Sequence, residues 1–238
     1  MKSQTLNLLK KEMKLGNSAQ TMIWFICCFG MFFIPNYPVY IGPFYITLSI
    51  FMTFGMNQVS HDTLYTVLLP VRKIDTVKAR FLFCGMLEVV SIFFAVLAGI
   101  IRHFGNFPEP KSGVGITIAY LGLQLIVYAI FNFIFLGNVY KDPVKPGKLY
   151  LFAGITYFVT YAICELPVWN YFHAKGTLSD AQIAENFSFA KVGLLFYTQD
   201  SAFLGKQCII LLAGLLIYAG TWVLTFGRAA KQFEKYDM

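Results

Sequence analysis

Six apolar runs, at about residues 19–34, 39–58, 76–101, 114–136, 149–172 and 207–226, alternate with short polar breaks along the chain. Each approaches or exceeds the roughly 20 residues that cross a bilayer as a helix. The pattern predicts an all-α membrane protein with six transmembrane helices in one transmembrane domain over residues 1–238. Ahead of the first run, Leu6, Leu9 and Met13 recur at helical spacing, with Lys10, Lys11 and Lys14 on other faces. A basic amphipathic segment of this kind lies in the membrane interface. The first run should end at Pro35 and Pro38, and Asp75 is the expected N-cap of the third helix.

Between the fifth and sixth runs lies the longest segment not expected to span. Ser179 with Gln182 fits a capping box, and Leu178 with Ile183 fits a hydrophobic staple. Ile183, Phe187, Ala190 and Leu194 follow on one helical face. The expectation is a short amphipathic helix at about residues 180–194, lying over the outer mouth of the bundle. It either gates that mouth or rests on lipid headgroups.

Composition agrees with membrane residence. The chain is 57% hydrophobic and 13% charged, where a soluble domain carries about a quarter charged residues. Its net charge of +7 does not call for nucleic acid. With the N-terminus inside, fourteen of the nineteen Lys and Arg residues fall on that side. Only Arg102, Lys111, Lys175, Lys191 and Lys206 fall on the other. That bias predicts both termini to be cytoplasmic. Arg72, Lys73, Lys78 and Arg80 then read mainly as topology-fixing anchors, with Arg72 also a candidate partner contact. The five cysteines lie within apolar runs without metal-ligand spacing, as small buried hydrophobes do.

Enzymatic chemistry finds no footing. GxxxxGK[ST], HExxH and GxSxG are all missing from the sequence, so no nucleotide, zinc or serine-hydrolase site is signalled. His61, His103 and His173 fall in three separate loops. Two carboxylates do interrupt apolar runs, and such residues are functional candidates by default. Glu88 lies eight residues beyond Arg80, about 12 Å deeper along a helix. It either bonds to a Ser, Thr or Tyr of another helix or contacts substrate. Glu165 precedes Leu166 and the helix-kinking Pro167, a combination that lines cavities as readily as it packs. Intramembrane charge is otherwise sparse and the halves show no repeat, which weighs against an ion-coupled secondary carrier.

The most individual stretch is His61 to Phe83, HDTLYTVLLPVRKIDTVKARFLF. Asp62 can cap a short helix with Leu64, Tyr65, Leu68 and Leu69 as its apolar positions, and Pro70 stops it. The stretch from Leu69 to Leu82 resembles a segment of ABC-2 type transporter permeases: a Leu-Pro-Val, a basic pair, an acid, then Val, Ala, a basic residue and an aromatic. In that family it follows a cytoplasmic coupling helix between the second and third membrane helices. Glu88 is similar to a glutamate often found early in that third helix. The nearest likeness is to small permeases of Gram-positive bacteria that include exporters of phenol-soluble-modulin-like amphipathic peptides.

The resemblance implies a type V exporter-like architecture in a bacterial plasma membrane. It implies a second permease subunit, identical or paralogous, and separate ATPase subunits that hold ATP and Mg, leaving this chain without a cofactor. Asp62, Leu64, Tyr65, Leu68, Leu69, Pro70 and Arg72 would then be the ATPase-coupling residues. The cargo would be an amphipathic or hydrophobic molecule; a peptide suits the aromatic, weakly charged bundle and so does lipid, and membrane lipid is a partner in either case. The competing readings are a peptide-sensing or self-immunity subunit that moves nothing, and an ion-coupled carrier.

Overall fold

The computed structural model describes residues 2–16, 19–34, 37–59, 65, 66, 68, 71–105, 107, 113–141, 145–185 and 189–235. All regular structure among them is helical. The helices are α1 (Lys2–Gly16), α2 (Ala19–Met31), α3 (Ile41–Val59), α4 (Lys73–Phe104) and α5 (Ile118–Ile134). They continue with α6 (Pro146–Lys175), α7 (Asp180–Glu185), α8 (Phe189–Tyr197) and α9 (Leu204–Glu234). Single 3-10 turns at Val139–Lys141 and Ser201–Phe203 follow α5 and precede α9.

Among the described residues, four helical stretches are long and apolar enough to cross a membrane: Lys73–Phe104, Ile118–Lys141, Pro146–Lys175 and Ser201–Glu234. Apolar α2 and α3 are shorter, so length alone supports four of the six expected spans. The first run stops being helical at Met31, because Phe32 and Phe33 bond back to Phe29 and Gly30 in a tight turn ahead of Pro35. The fourth run starts helix only at Ile118. Thr117 caps it, accepting from the Tyr120 amide at 3.3 Å, while Val114 to Ile116 stay outside the helix.

Asp75 is not the N-cap of α4. That place belongs to Arg72, with extended backbone, and Asp75 lies in the first turn. An acid there faces the unpaired amides and positive dipole end of the helix, which suits it as well as capping does.

The bundle is organised around α5, whose Tyr120, Val127, Tyr128 and Phe131 are fully enclosed. Its closest neighbour is α9. A Cβ added at Gly214 would come within 2.8 Å of Gly122 Cα, and one at Gly122 within 2.8 Å of Leu211 Cα. Small residues let helix backbones meet in this way inside lipid, where dispersion rather than water drives association. The outer face of α9 carries Leu212, Leu216, Val223 and Leu224, all exposed, as a lipid-facing helix requires.

The two ends of the bundle can be followed through their contacts. At one end Arg80 of α4 lies over Phe54 of α3, Phe54 meets Tyr140, and Tyr140 meets Phe233 of α9. Helix α1 docks at this end too, so the N- and C-terminal helices share it. At the other end, the Arg102 guanidinium donates to the Phe32 carbonyl at 2.8 Å, and α7 and α8 fold over the last turns of α6.

Candidate functional site

At the α1 end, charge and hydrogen bonding join three elements. Arg80 and Glu12 form an ion pair at 2.7 Å, with only 6% and 4% of their side chains exposed. A buried pair of this kind is costly to desolvate but costlier still to break. Arg80 is therefore an interior tie between α4 and α1. Thr5 donates to Asp75 at 3.4 Å, and Arg72 donates to both Asp75 oxygens, at 2.9 and 3.2 Å. The Asp75 carboxylate holds the Arg72 guanidinium above its ordinary range. More than half of the Arg72 side chain stays exposed.

The loop before α4 is described at Tyr65, Thr66 and Leu68, all helical. Thr66 is buried and accepts a hydrogen bond from the Lys11 ammonium. Tyr65 and Leu68 turn the other way and are 67% and 79% exposed. The two side chains form an open apolar patch beside a neighbour clamped to α1. Asp62, Leu64, Leu69 and Pro70 lie outside the described residues.

The two intramembrane acids occupy different surroundings. Glu88 is buried between α4, α5 and α9. Its Oε2 accepts from Asn132 Nδ2 at 3.1 Å and from the Tyr218 hydroxyl, while Oε1 has no partner among the described residues. The acid thus makes interhelical hydrogen bonds. Ser91, one turn further on α4, accepts from Tyr128 of α5 at 2.8 Å and extends the polar seam.

Glu165 lies in α6 two residues before Pro167. Tyr161, Trp169 and the Val114 backbone approach its carboxylate, and Oε1 lies without a hydrogen-bond partner against Gly113. Gly113 has a φ of +84°, a conformation that suits glycine, and a Cβ there would strike Oε1.

Over the same end, the expected single helix is described as α7 and α8, with residues 186–188, including Phe187, outside the described residues. Ser179 and Gln182 close the capping box through Ser179 N to Gln182 Oε1, at 2.9 Å. Ile183, Ala190 and Leu194 pack with Tyr171 of α6 into a small core of their own. The contact is very close: a Cβ at Gly193 would overlap the Pro167 carbonyl and lie 2.7 Å from Tyr171 Cβ.

Sequence reasoning did not single out Glu12, Thr66, Asn132, Tyr218 or Gly193, and it took Lys11 only as one of the basic residues of the N-terminal segment. Glu12 did carry a signal. It is a lone acid among Lys10, Lys11 and Lys14, and an acid on a basic interfacial helix asks for a cationic partner.

A family model described as ABC-2 family transporter protein matches residues 7–198 of the chain. The chain belongs to that family and is a multi-pass membrane component of an ABC transporter, a kind of subunit that works with an ABC ATPase. Comparison with curated proteins and with solved structures gives no match.

Proposed function

We propose that this chain is the permease subunit of an ABC exporter, seated on separate ATPase subunits that bind ATP and Mg, and that its cargo is an amphipathic or hydrophobic molecule, a peptide above all. The observation that carries the reading is the pose of the loop before α4. Tyr65 and Leu68 are bare while Thr66 is fastened to α1. Force applied to that apolar patch passes into α4 directly, and through Lys11 and the Glu12–Arg80 pair into α1. Asp62, Leu64, Leu69, Pro70 and Arg72 complete the coupling surface in this reading.

The remaining two spans are α2 with its turn, and α3. Phe25 and Phe29 flank Phe94 of α4, Cys28 meets Ser91, and Phe32 meets Arg102. Phe25 also shares a groove with Phe83, and α2 with its turn runs beside α4 as far as Arg102. Both termini then face the cytoplasm of a bacterial cell, and α7 and α8 cover the outer mouth as a gate. The exposed apolar faces of α6 and α9 meet lipid and a second permease subunit. Of the two acids, Glu165 belongs to the pathway and Glu88 to the helix packing beside it.

The test replaces Leu68 and Leu69 with Asp in the complex reconstituted in vesicles. ATP-driven transport should be lost while membrane insertion is retained and ATP hydrolysis continues uncoupled. Unchanged transport and unchanged co-purification with the ATPase refute the coupling role. Binding of peptide by the wild-type complex without ATP-driven movement across the vesicle membrane assigns the chain to sensing or immunity instead.

A further inference from the structure

A groove of about 480 Å³ opens between α1, α2 and α4, on the α1 side of the bundle. Its walls are apolar, with Phe25 of α2 and Phe83, Leu87 and Val90 of α4. Its rim carries Lys10 and Lys14 of α1, one helical turn apart and both exposed. The other charges nearby are spoken for. Arg80 and Glu12 neutralise each other, and Lys11 turns away to Thr66. No carboxylate among the described residues pairs with Lys10 or Lys14. The rim is therefore cationic, and the volume falls in the range of about 300–1,000 Å³ that holds ligands of moderate size.

The geometry points to a binding site for one anionic phospholipid from the leaflet on the α1 side, its acyl chain along Phe25, Phe83, Leu87 and Val90 and its phosphate between Lys10 and Lys14. The chemistry fits both halves of such a molecule. Apolar walls at membrane depth meet an acyl chain, and two ammonium groups at the interface meet the headgroup. Basic pockets between membrane helices recognise anionic lipid in this way. A zwitterionic lipid would bring its own cation to the two lysines. A free anion would leave the apolar walls unused. The site needs only that α4 lies in a bilayer, so it stands apart from the exporter reading. The same α1 also braces Thr66, which puts the bound lipid against the helix that steadies the loop before α4.

Native mass spectrometry of the full chain tests the site, with phosphatidylglycerol and phosphatidylcholine of identical acyl chains as competing probes. Wild type should retain phosphatidylglycerol over phosphatidylcholine on the order of 30-fold, as two lysines near a surface phosphate supply. The Lys10→Gln/Lys14→Gln variant, altered only at exposed positions, should retain the two lipids equally. Val90→Trp, which fills the groove, should lose the bound phosphatidylglycerol with both lysines intact. A wild-type chain without preference, or a double variant that keeps it, overturns the site. So does displacement of the lipid by glycerol 3-phosphate, which would mark a plain anion site. Displacement by an acidic amphipathic peptide at equal concentration would assign the groove to cargo and likewise overturn it.

Discussion

At the α1 end the helices are tied by charge: Glu12 to Arg80, Asp75 to Arg72 and Thr5, Lys11 to Thr66. At the opposite end α8 lies on α6 with backbone against backbone, Gly193 over the Pro167 carbonyl, and Gly113 over Glu165. The first kind of attachment is made by side-chain tips that can separate and re-form. The second depends on shape and fails if a single carbon is added. If force enters at the first end and the second opens, as proposed above, both kinds of attachment are useful. Hydrogen-bonded ties carry force while allowing displacement, and a sterically fitted cover seals until it is lifted as a unit.

The largest effect should follow from breaking the buried ion pair. Arg80→Ala leaves the Glu12 carboxylate buried without its partner, and losing half of such a pair costs about 3–5 kcal/mol. The loss is measured as thermal or denaturant stability of the purified chain in detergent. The reversed pair, Glu12→Arg with Arg80→Glu, should recover much of that loss. If it is no better than the worse single variant, charge is not what ties this end together.

That contact also marks the limit of what the sequence discloses. The apolar runs locate the helices because burial in lipid imposes a length, and Glu88 and Glu165 stand out because an acid in such a run is expensive. The partners do not stand out. Arg80 looks like any basic residue at a membrane boundary until Glu12, far away in sequence, is brought beside it. Asn132 and Tyr218 become a pair only once α5 and α9 are set on either side of Glu88. The point where the first run stops being helical was hidden for a similar reason. Apolarity alone does not say where a helix turns, and Phe32 to Ile34 are as apolar as the helix they end. The capping box at Ser179 was fully legible, because both of its residues lie in one short segment.

Next in size is Gly193→Val, which places carbon where the Pro167 carbonyl and Tyr171 Cβ already are. Overpacking of this kind costs about 1–3 kcal/mol. Here the cost should fall on the attachment of α8. Protease sensitivity of the segment between α6 and α9 should rise several-fold while global unfolding shifts less. A global shift as large as that of Arg80→Ala would mean that the two ends are not held differently after all.

Between the ends, Glu88→Ala removes the acceptor shared by Asn132 and Tyr218. Polar contacts between membrane helices average about 0.6 kcal/mol and reach about 1.7, so a loss of about 1–2 kcal/mol is expected from the two together. Tyr218→Phe should account for roughly half of it. If Tyr218→Phe leaves stability unchanged, the short contact to Glu88 contributes nothing and Asn132 alone holds the acid.

The smallest effect on stability, and the sharpest on function, belongs to Glu165→Gln. The substitution keeps the side chain's shape and leaves one carbonyl oxygen to accept from Tyr161, Trp169 or the Val114 backbone. The oxygen now facing Gly113 has no donor to lose. Stability should stay within about 0.5 kcal/mol of wild type, as for substitutions that break no packing and no pair. What changes is the capacity to carry negative charge beneath the Gly113 turn, two residues before Pro167, whose carbonyl α8 rests on. If that charge is part of the outer pathway, transport or substrate-stimulated ATP hydrolysis should change several-fold in a chain as stable as wild type. If both rates are unchanged, Glu165 only supports the turn above it. A stability loss exceeding that of Glu88→Ala would invert the comparison, making the α8 end the one that depends on charge.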